Sequence, residues 1–551
     1  MLYAYWKSGH HEDDSVFELF FRRNPFKGEF TVFAGLEDCL RYIANFKFDA
    51  ASCRKLADKF PSWDPTFWDY LQTLDCSKVR IYAPREGTLV FPREPLLRVE
   101  GPLGICQVLE TTLLVLINFA SLIATNAARH RLAVGPDKAL LEFGLRRAQG
   151  PDGAMTASRY AVLGGFDGTS NVKAGIEYGL ALSGTHAHSF VGAYQTFADL
   201  KTTILVPADG GEPREFLACV LANRKKLKAM GTNDGELAAF TAYAQSFPTA
   251  FLALIDTYDV LESGLPNFLA VALALHEFGY MARGIRLDSG DLAYLSKRCR
   301  NVFEEVATAF GVEAFRNLTI VASNDLSEEV LWSLKEQGHS IDAFGVGTNL
   351  VTCSAQPALG CVYKLVEVRG EPRMKISQDH FKVTIPGRKE CYRLYNSQGQ
   401  PVVDIMVPTY PSAPDSSSSE PPASATAATA ETSSTSSPVS RTVTAQTIVG
   451  KTPRVGERVL CRHPFDPTKR VFVTPSKVEK LHHLVWDCGK IVVTFPTIQE
   501  SREYVLQQLA TFRSDHLRHL NPTPYKVALS AELFTFMHDL WSNVTPIIEI
   551  F

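Results

Sequence analysis

The segment 286–291, Arg-Leu-Asp-Ser-Gly-Asp, holds residue types that could bind an anionic ligand. Arg286 and Asp288 stand two residues apart on a predicted strand, so their side chains point to the same side. The guanidinium could hold an anion, while the carboxylate accepts hydrogen bonds from sugar hydroxyls or carries a hydrated metal. The same residues could form a surface salt bridge ahead of a helix capped by Ser289 or Asp288. The spacing by itself leaves both interpretations open.

The segment 344–349, Phe-Gly-Val-Gly-Thr-Asn, has the form of a phosphate-binding turn. Glycines such as Gly347 expose backbone N–H groups, and Thr348 adds a hydroxyl donor at a predicted helix start. Most short runs of this kind are ordinary strand-to-helix turns. The place of this run, at a late strand of a barrel, favours the phosphate interpretation.

Two further strand ends carry residues that could do chemistry. His186 and His188 have a spacing that could suit metal ligands, but no third ligand of fitting type stands nearby in the sequence. A histidine at a strand end is usually an ordinary polar residue. Phe143 offers a face for a flat heterocycle, and Arg146 suits a phosphate or a carboxylate. A core phenylalanine beside a solvated arginine is the commoner arrangement.

These candidate residues belong to one recurring pattern of elements. From Leu140 onward, short apolar runs typical of buried parallel strands end abruptly in small and polar residues, and helical patterns separate them. Such strand-then-helix units with uneven spacing predict an α/β fold built on an irregular or incomplete β/α barrel, with the chemistry at the carboxyl ends of its strands. Seven endings follow the pattern, at 142–146, 166–171, 183–188, 255–257, 286–291, 322–325 and 344–349.

Three regions are predicted along the 551 residues. An N-terminal α+β segment covers 1–105, and the barrel with the active site covers 106–360. The C-terminal segment, 361–551, is expected to pack back on the N-terminal segment and form a second α+β lobe with it. From about 410 to 444 the chain is almost entirely Ser, Ala, Pro and Thr. This composition lacks the apolar content to offset the entropy of ordering, so we predict a disordered loop there.

The composition excludes several function classes. The net charge of −3 provides no positive surface for nucleic acid. The apolar stretch from Leu113 to Ala128 contains two asparagines and is too short to span a bilayer, and acidic residues near Met1 argue against a signal peptide. Eleven cysteines without a Cys-x-x-Cys pair are typical of reduced thiols. We therefore expect a cytosolic protein that binds neither nucleic acid nor membrane.

Taken in order along nearly the whole chain, these segments closely resemble the nicotinate phosphoribosyltransferase family, in its eukaryotic type. The resemblance also covers 3–9, 17–22, 30–36, 91–96 and 460–465. It implies transfer of phosphoribosyl from phosphoribosyl pyrophosphate to nicotinate, giving nicotinate mononucleotide and pyrophosphate in the salvage route of NAD biosynthesis. Members couple this reaction to ATP hydrolysis and need magnesium or manganese. A homodimer with sites near the interface is expected.

The resemblance also implies roles for single residues. Thr185 and Arg286 should contact nicotinate, with Arg286 pairing its carboxylate. Gly347 and Thr348 should hold a phosphate of the ribose substrate. Arg146 should lie on the phosphate side or the ring side of the site.

Three more roles follow from the same resemblance. Phe143 should be the stacking platform for the ring, and Asp288 should face the ribose hydroxyls or magnesium. His188 matches the family histidine that ATP phosphorylates. A neutral imidazole can take the γ-phosphoryl group as a nucleophile, and the new charge then reorganises the site. His188 and Asp288 are therefore the predicted catalytic residues.

Other readings of the chain remain open. The first alternative is that the chain uses nicotinamide in place of nicotinate. Nicotinamide-using relatives place an aspartate near the position of Ser170, and a carboxylate there would repel nicotinate. Ser170 therefore favours nicotinate as the substrate. Because the chain starts at Met1, after the Asp-x-Tyr stretch with which relatives usually begin, a weakly active or non-catalytic partner subunit is a second alternative. Without the resemblance, a sugar-phosphate aldolase or isomerase would also fit, although Lys364 is the one lysine at a strand end.

Overall fold

The computed structural model describes residues 1–377, 379, 382–409 and 450–545. The predicted disordered loop at about 410–444 lies outside these residues. The helices are α1 Leu2–Lys7, α2 Leu36–Ala44, α3 Ala50–Lys59, α4 Thr66–Thr73, α5 Leu103–Val108, α6 Glu110–Val134, α7 Gly150–Leu163, α8 Val172–Tyr178, α9 His188–Gly192, α10 Phe216–Lys226, α11 Asp234–Ser246, α12 Leu265–Glu277, α13 Leu292–Phe310, α14 Glu328–Gln337, α15 Thr348–Thr352, α16 Ile498–Thr511 and α17 Ala531–Val544.

The strands are β1 Asp14–Phe21, β2 Thr31–Val32, β3 Arg80–Ala83, β4 Leu89–Val90, β5 Leu97–Pro102, β6 Ala139–Glu142, β7 Gly168–Thr169, β8 Ile204–Leu205, β9 Arg214–Glu215, β10 Leu252–Leu254, β11 Gly284–Leu287, β12 Thr319–Ala322, β13 Ala343–Val346, β14 Cys361–Val368, β15 Glu371–Pro372, β16 Lys389–Tyr395, β17 Pro401–Pro408, β18 Val459–Arg462, β19 Arg470–Val473, β20 Lys477–Lys480, β21 His483–Asp487, β22 Lys490–Ile491 and β23 Val527–Leu529.

The barrel is formed by six parallel strands in the order β10-β11-β12-β13-β6-β7. Leu182 adds a single parallel bridge to Thr169 beside β7. In the described chain no strand pairing joins this segment to β10, but the backbone N–H of Leu254 donates to Nε2 of His186 across 3.1 Å. The imidazole of His186 therefore connects the segment beside β7 to β10, where the barrel is open. The predicted incomplete β/α barrel is confirmed.

The second lobe interleaves distant parts of the chain. Its seven-stranded sheet has the order β15-β14-β1-β5-β3-β21-β22 and so places N-terminal strands between C-terminal ones. The C-terminal region also builds a six-stranded sheet of its own, β19-β18-β23-β17-β16-β20, with α17 packed on one face. The predicted lobe of N-terminal and C-terminal segments is confirmed, with this additional sheet. The residue boundaries of the three regions stay predictions.

Helix α6 is the central helix of the core. Within the described residues it is the one helix long and apolar enough to cross a membrane, and 61% of its most apolar window is buried inside the protein. It extends beyond the apolar stretch seen in the sequence because its polar residues have partners. The Asn126 side-chain amide donates to the carbonyl oxygens of Asn349 and Leu350, over 3.0 and 3.2 Å. This contact anchors α15 to the core.

Candidate active site

A fully buried carboxylate holds the carboxyl end of β6 in place. Glu142 accepts hydrogen bonds from the Ser158 hydroxyl, over 2.7 Å, and from the Thr169 hydroxyl and the Gly144 backbone N–H. A buried carboxylate is costly unless it is hydrogen-bonded, so these donors and Glu142 need each other. The network joins β6, β7 and α7 and sets the backbone on both sides of Phe143.

The ring of Phe143 rests on the backbone of the neighbouring strand. A Cβ added at Gly345 would lie 2.4 Å from two ring carbons of Phe143, so only glycine allows this close approach. The Phe143 N–H donates to the carbonyl of Val346 over 2.8 Å. The ring is thus fixed at the strand-end edge, with the Arg286 guanidinium carbon 5.4 Å from its centroid. This spacing is within cation–π range.

Three side chains hold the guanidinium of Arg286. Its Nε donates to the Ser323 hydroxyl over 2.8 Å, Nη1 to the Thr185 hydroxyl over 3.0 Å, and Nη2 to Oδ1 of Asp288 over 3.1 Å. The Ser323 hydroxyl also donates to the same oxygen of Asp288. The planar group is therefore oriented before any ligand arrives, which suits bidentate pairing with a carboxylate.

His188 stands beside two carboxylates and a hydroxyl. Its Nδ1 lies 3.0 Å from the Thr257 hydroxyl oxygen, and its Nε2 lies 3.8 Å from Oδ1 of Asp256 and 3.9 Å from Oδ2 of Asp288. The imidazole is 46% exposed, whereas the Asp256 side chain is 3% exposed. Ser289 donates to Oδ2 of Asp256. A reagent can therefore reach the ring from solvent, while Thr257 and the buried Asp256 orient it.

His186, two residues away, has a different environment. Its Nε2 accepts the backbone N–H of Leu254, so the proton of the neutral ring sits on Nδ1. Burial, aided by the positive charge of Arg286, lowers the pKa of His186 to about 4. His186 therefore stays neutral near pH 7 and has a structural role. No group of three or more His, Cys, Asp or Glu side chains in the described residues has the arrangement of a metal site.

The remaining predicted residues lie at the same edge of the sheet but are less closely joined. Ser170 donates its N–H and its hydroxyl to the Glu142 carbonyl, over 2.9 and 3.3 Å. Gly347 packs against the carbonyl of Phe143, and Thr348, at the first turn of α15, is exposed. Arg146 is exposed on the turn after β6. Among the residues described, no hydrogen bond joins Thr348 or Arg146 to the Arg286 cluster.

The structure adds residues that sequence reasoning did not single out. Asp256, Thr257 and Ser323 sit at strand ends that the pattern identified, but their types and spacing pointed to no chemistry. After Ser323, Asn324 and Asp325 both have positive φ, 101° and 44°. Two successive non-glycine residues in this region indicate a backbone held by its surroundings, as is frequent at functional sites.

Comparison with known proteins shows which family the chain resembles along its length. The N-terminal domain model of nicotinate phosphoribosyltransferase matches residues 1–118, the family model matches 139–400, and the C-terminal domain model matches 388–537. Over 550 residues the chain is 50% identical to the nicotinate phosphoribosyltransferase of Dictyostelium discoideum, covering 100% of this chain and 88% of the relative. The Homo sapiens enzyme of the same name is 42% identical over 554 residues, covering 99% and 96%.

A solved structure supports the same assignment. The crystal structure of human nicotinic acid phosphoribosyltransferase matches with a TM-score of 0.83 and 40% sequence identity, over 98% of both chains. A nicotinate-nucleotide pyrophosphorylase from Pyrococcus furiosus, with 22% identity and a TM-score of 0.54, shares the fold. Together with the matches along the whole chain, these likenesses show that the protein belongs to the nicotinate phosphoribosyltransferase family.

Proposed function

We propose that this chain transfers phosphoribosyl from phosphoribosyl pyrophosphate to nicotinate, giving nicotinate mononucleotide and pyrophosphate. The observation that carries the proposal is the oriented Arg286 guanidinium beside the Phe143 ring. A flat aromatic carboxylate can pair with the first and stack on the second. The family membership selects nicotinate among such ligands.

The chemistry needs positioning more than a base. The pyridine nitrogen of nicotinate carries a free lone pair, so it can form the bond to C1 of the ribose as the bond from C1 to the pyrophosphate oxygen breaks. The barrier lies in the positive charge that develops on the ribose and the negative charge on the leaving group. We assign Asp288, which Ser323 holds, to the ribose side, and the phosphates to the Gly347–Thr348 turn and Arg146.

We also propose that ATP phosphorylates His188. The imidazole is half-exposed, and its two nitrogens have different neighbours. Nδ1 lies beside the Thr257 hydroxyl, and Nε2 lies near the carboxylates of Asp256 and Asp288. A lone pair on the neutral ring would attack the γ-phosphorus as the bond to ADP breaks. The added charge beside Asp256 and Asp288 would change the electrostatic field at the ribose site, which is how ATP use could couple to transfer.

Magnesium, or manganese, fits the site as a partner of the substrate phosphates. The carboxylates of Asp256 and Asp288 supply the hard oxygen atoms that such ions prefer, and Oδ1 of Asp256 has no hydrogen-bond partner among the described residues. Mg²⁺ usually keeps several waters and few protein ligands, so the two aspartates would be sufficient. When bound, the ion would neutralise charge on the departing pyrophosphate.

We also propose that the chain forms a homodimer in the cytosol. All eleven cysteines are free thiols, as expected in a reducing compartment. Near the strand-end edge, Val172, Ile176 and Leu182 are 59%, 78% and 52% exposed, which suits an interface close to the site. Sedimentation of the purified chain should give a dimer at micromolar concentration. A monomer at that concentration would contradict this part of the proposal.

The central test offers nicotinate and nicotinamide in parallel to the purified chain, with phosphoribosyl pyrophosphate, magnesium and ATP, and detects mononucleotides by mass spectrometry. Product is expected from nicotinate, and His188→Ala should remove only the part that ATP stimulates. His276→Ala, a change of an exposed histidine away from the strand ends, is the control. Product from nicotinamide alone would show the amide-using alternative to be right. No product from either substrate would favour the non-catalytic partner subunit.

A further inference from the structure

A cavity lies away from the strand ends of the barrel. Its volume is about 790 Å³, and it forms where the N-terminal segment meets the six-stranded C-terminal sheet. Three buried side chains of this sheet, Val403, Cys461 and Ala528, form part of its lining, together with the rings of Phe465 and Tyr525. A cavity of this size with apolar and aromatic walls has the character of a small-molecule site.

The charges around this cavity are unbalanced. Two carboxylates line it, Glu29 and Asp466, and Asp466 already pairs with Lys469 across 3.3 Å. The exposed side chains of Arg470 and Lys526 form no ion pair with any residue that the structure describes. Arg93 also lines the cavity, but the carboxylate of Asp379 acts on its charge, so the positive excess comes from Arg470 and Lys526. The excess charge favours an anionic ligand.

Arg93 is held at the cavity wall by an unusual backbone. Its φ is +74°, in the left-handed region that non-glycine residues rarely occupy, and its N–H donates to the Phe21 carbonyl over 2.8 Å. Its guanidinium carbon lies 4.1 Å from the centroid of the Phe465 ring. Burial, together with the positive charge of Arg22, lowers the pKa of Arg93 to about 10. The charge of Asp379 acts against this shift.

Two segments that resemble the family meet in this cavity and not at the barrel. Pro92 and Arg93 come from 91–96, and Cys461 and Phe465 come from 460–465. The transfer reaction assigned above uses neither segment. They bring a cation and an aromatic ring to a cavity that this reaction leaves unused.

We propose that this cavity is a second binding site, for an aromatic anion larger than a single ring. The rings of Phe465 and Tyr525 and the buried aliphatic side chains would contact the flat body, and Arg470 and Lys526 would pair with the negative group. A single pyridine ring would leave most of the 790 Å³ unfilled. The site does not depend on the transfer reaction, so its test needs no turnover.

The probe is 1-anilinonaphthalene-8-sulfonate, whose fluorescence rises in apolar surroundings. Titration of the folded full chain should show saturable binding at one site per chain. The double change Arg470→Glu and Lys526→Glu should weaken binding at least about tenfold, because it reverses two charges at the rim. The matched control, Arg298→Glu with Lys490→Glu, changes exposed cations elsewhere and should bind as the unmodified chain does.

Two further arms separate this cavity from other places where the probe could bind. Val471→Trp should fill the mouth and reduce binding, whereas Val455→Trp, at an exposed position outside the lining, should not. Saturating nicotinate should leave the probe bound. The proposal is overturned by absence of saturable binding, by equal effects of the cavity and control changes, or by complete displacement with nicotinate, which would place the probe in the barrel site.

Discussion

The carboxylate of Asp256 lies behind the imidazole of His188, with Oδ1 3.8 Å from Nε2. Asp256 is buried and its Oδ1 has no hydrogen-bond partner among the described residues, whereas His188 is half-exposed. The buried carboxylate thus faces the edge of the ring that carries Nε2. On the other side of the ring, the Thr257 hydroxyl fixes Nδ1. Asp256 is therefore a positioning residue for His188.

Replacing Asp256 with asparagine should reduce the stimulation of turnover by ATP at least about tenfold, because the amide does not orient the Nε2 edge of the imidazole as the carboxylate does. Turnover without ATP should fall by a smaller factor, through the proposed magnesium contact of Asp256. Rates measured with and without ATP over a range of pH separate the two effects. The exposed Asp209→Asn is the control. Unaltered ATP stimulation in the Asp256 variant would show that this carboxylate does not act through His188.

Arg286→Lys should raise KM for nicotinate and lower kcat/KM by roughly 10- to 100-fold, because an ammonium group cannot reproduce the planar pair of donors. Thr185→Val removes one support of the guanidinium and should have a smaller effect in the same direction. Initial rates over a nicotinate series measure both. Arg283→Lys, an exposed change at the start of the same strand, serves for comparison. An equal loss in all three variants would argue against a specific carboxylate pair.

Gly345→Ala should displace the Phe143 ring, since the new methyl group would lie 2.4 Å from two ring carbons. We expect kcat/KM for nicotinate to fall by about tenfold through loss of stacking. Gly231→Ala meets no atom within 4 Å and is the matched control. Steady-state kinetics, with circular dichroism as a check of folding, give the result. Normal kinetics for Gly345→Ala would show that the ring position has little part in binding.

Ser170→Asp should move the substrate preference from nicotinate towards nicotinamide by at least about tenfold in the ratio of kcat/KM values. The added carboxylate would repel the acid and accept from the amide. The asparagine of Ser170→Asn is nearly the same size as aspartate but carries no charge, so this variant should keep the preference for nicotinate. The ratio is measured with both substrates at equal concentration. A shift of the same size in the asparagine variant would assign the effect to shape and not to charge.

His482 should make the fold sensitive to mild acid. Burial, followed by the charge of Arg98, lowers the pKa of this fully buried imidazole to about 4, below its ordinary 6.5. Between these values the unfolded chain binds a proton that the folded chain does not. The contribution of His482 to the free energy of unfolding is therefore complete above pH 6.5 and falls by up to about 3 kcal/mol as the pH drops to 4.

The measurement is calorimetric melting at pH 7.5 and pH 5.0, for the unmodified chain and for His482→Gln. The amide can keep a donor for the Pro95 carbonyl and an acceptor for the Cys391 N–H, but it does not titrate. The melting temperature of the variant should depend less on pH. Parallel pH profiles for the two proteins would show that another group controls acid sensitivity.

Much of the site follows from one local rule. The carboxyl ends of parallel strands meet at one edge of a sheet. Apolar runs that end in polar residues therefore predict that Phe143, Thr185, Arg286 and Asp288 lie at the same edge. The sequence does not mark Asp256 and Ser323 as functional, because an aspartate or a serine often follows a strand. Their importance lies in distances to His188 and Arg286, which sequence spacing does not contain.

The sequence by itself determined the family, the incomplete barrel and the edge of the sheet where the ligands converge. These depend on residue type and on short-range periodicity, which report burial along one element at a time. Only the tertiary structure decided the pairing of β3 with β21, some 400 residues apart, the six-stranded C-terminal sheet and the cavity beside it. Long-range pairing depends on which surfaces are complementary once the chain has folded, and no local pattern carries that information.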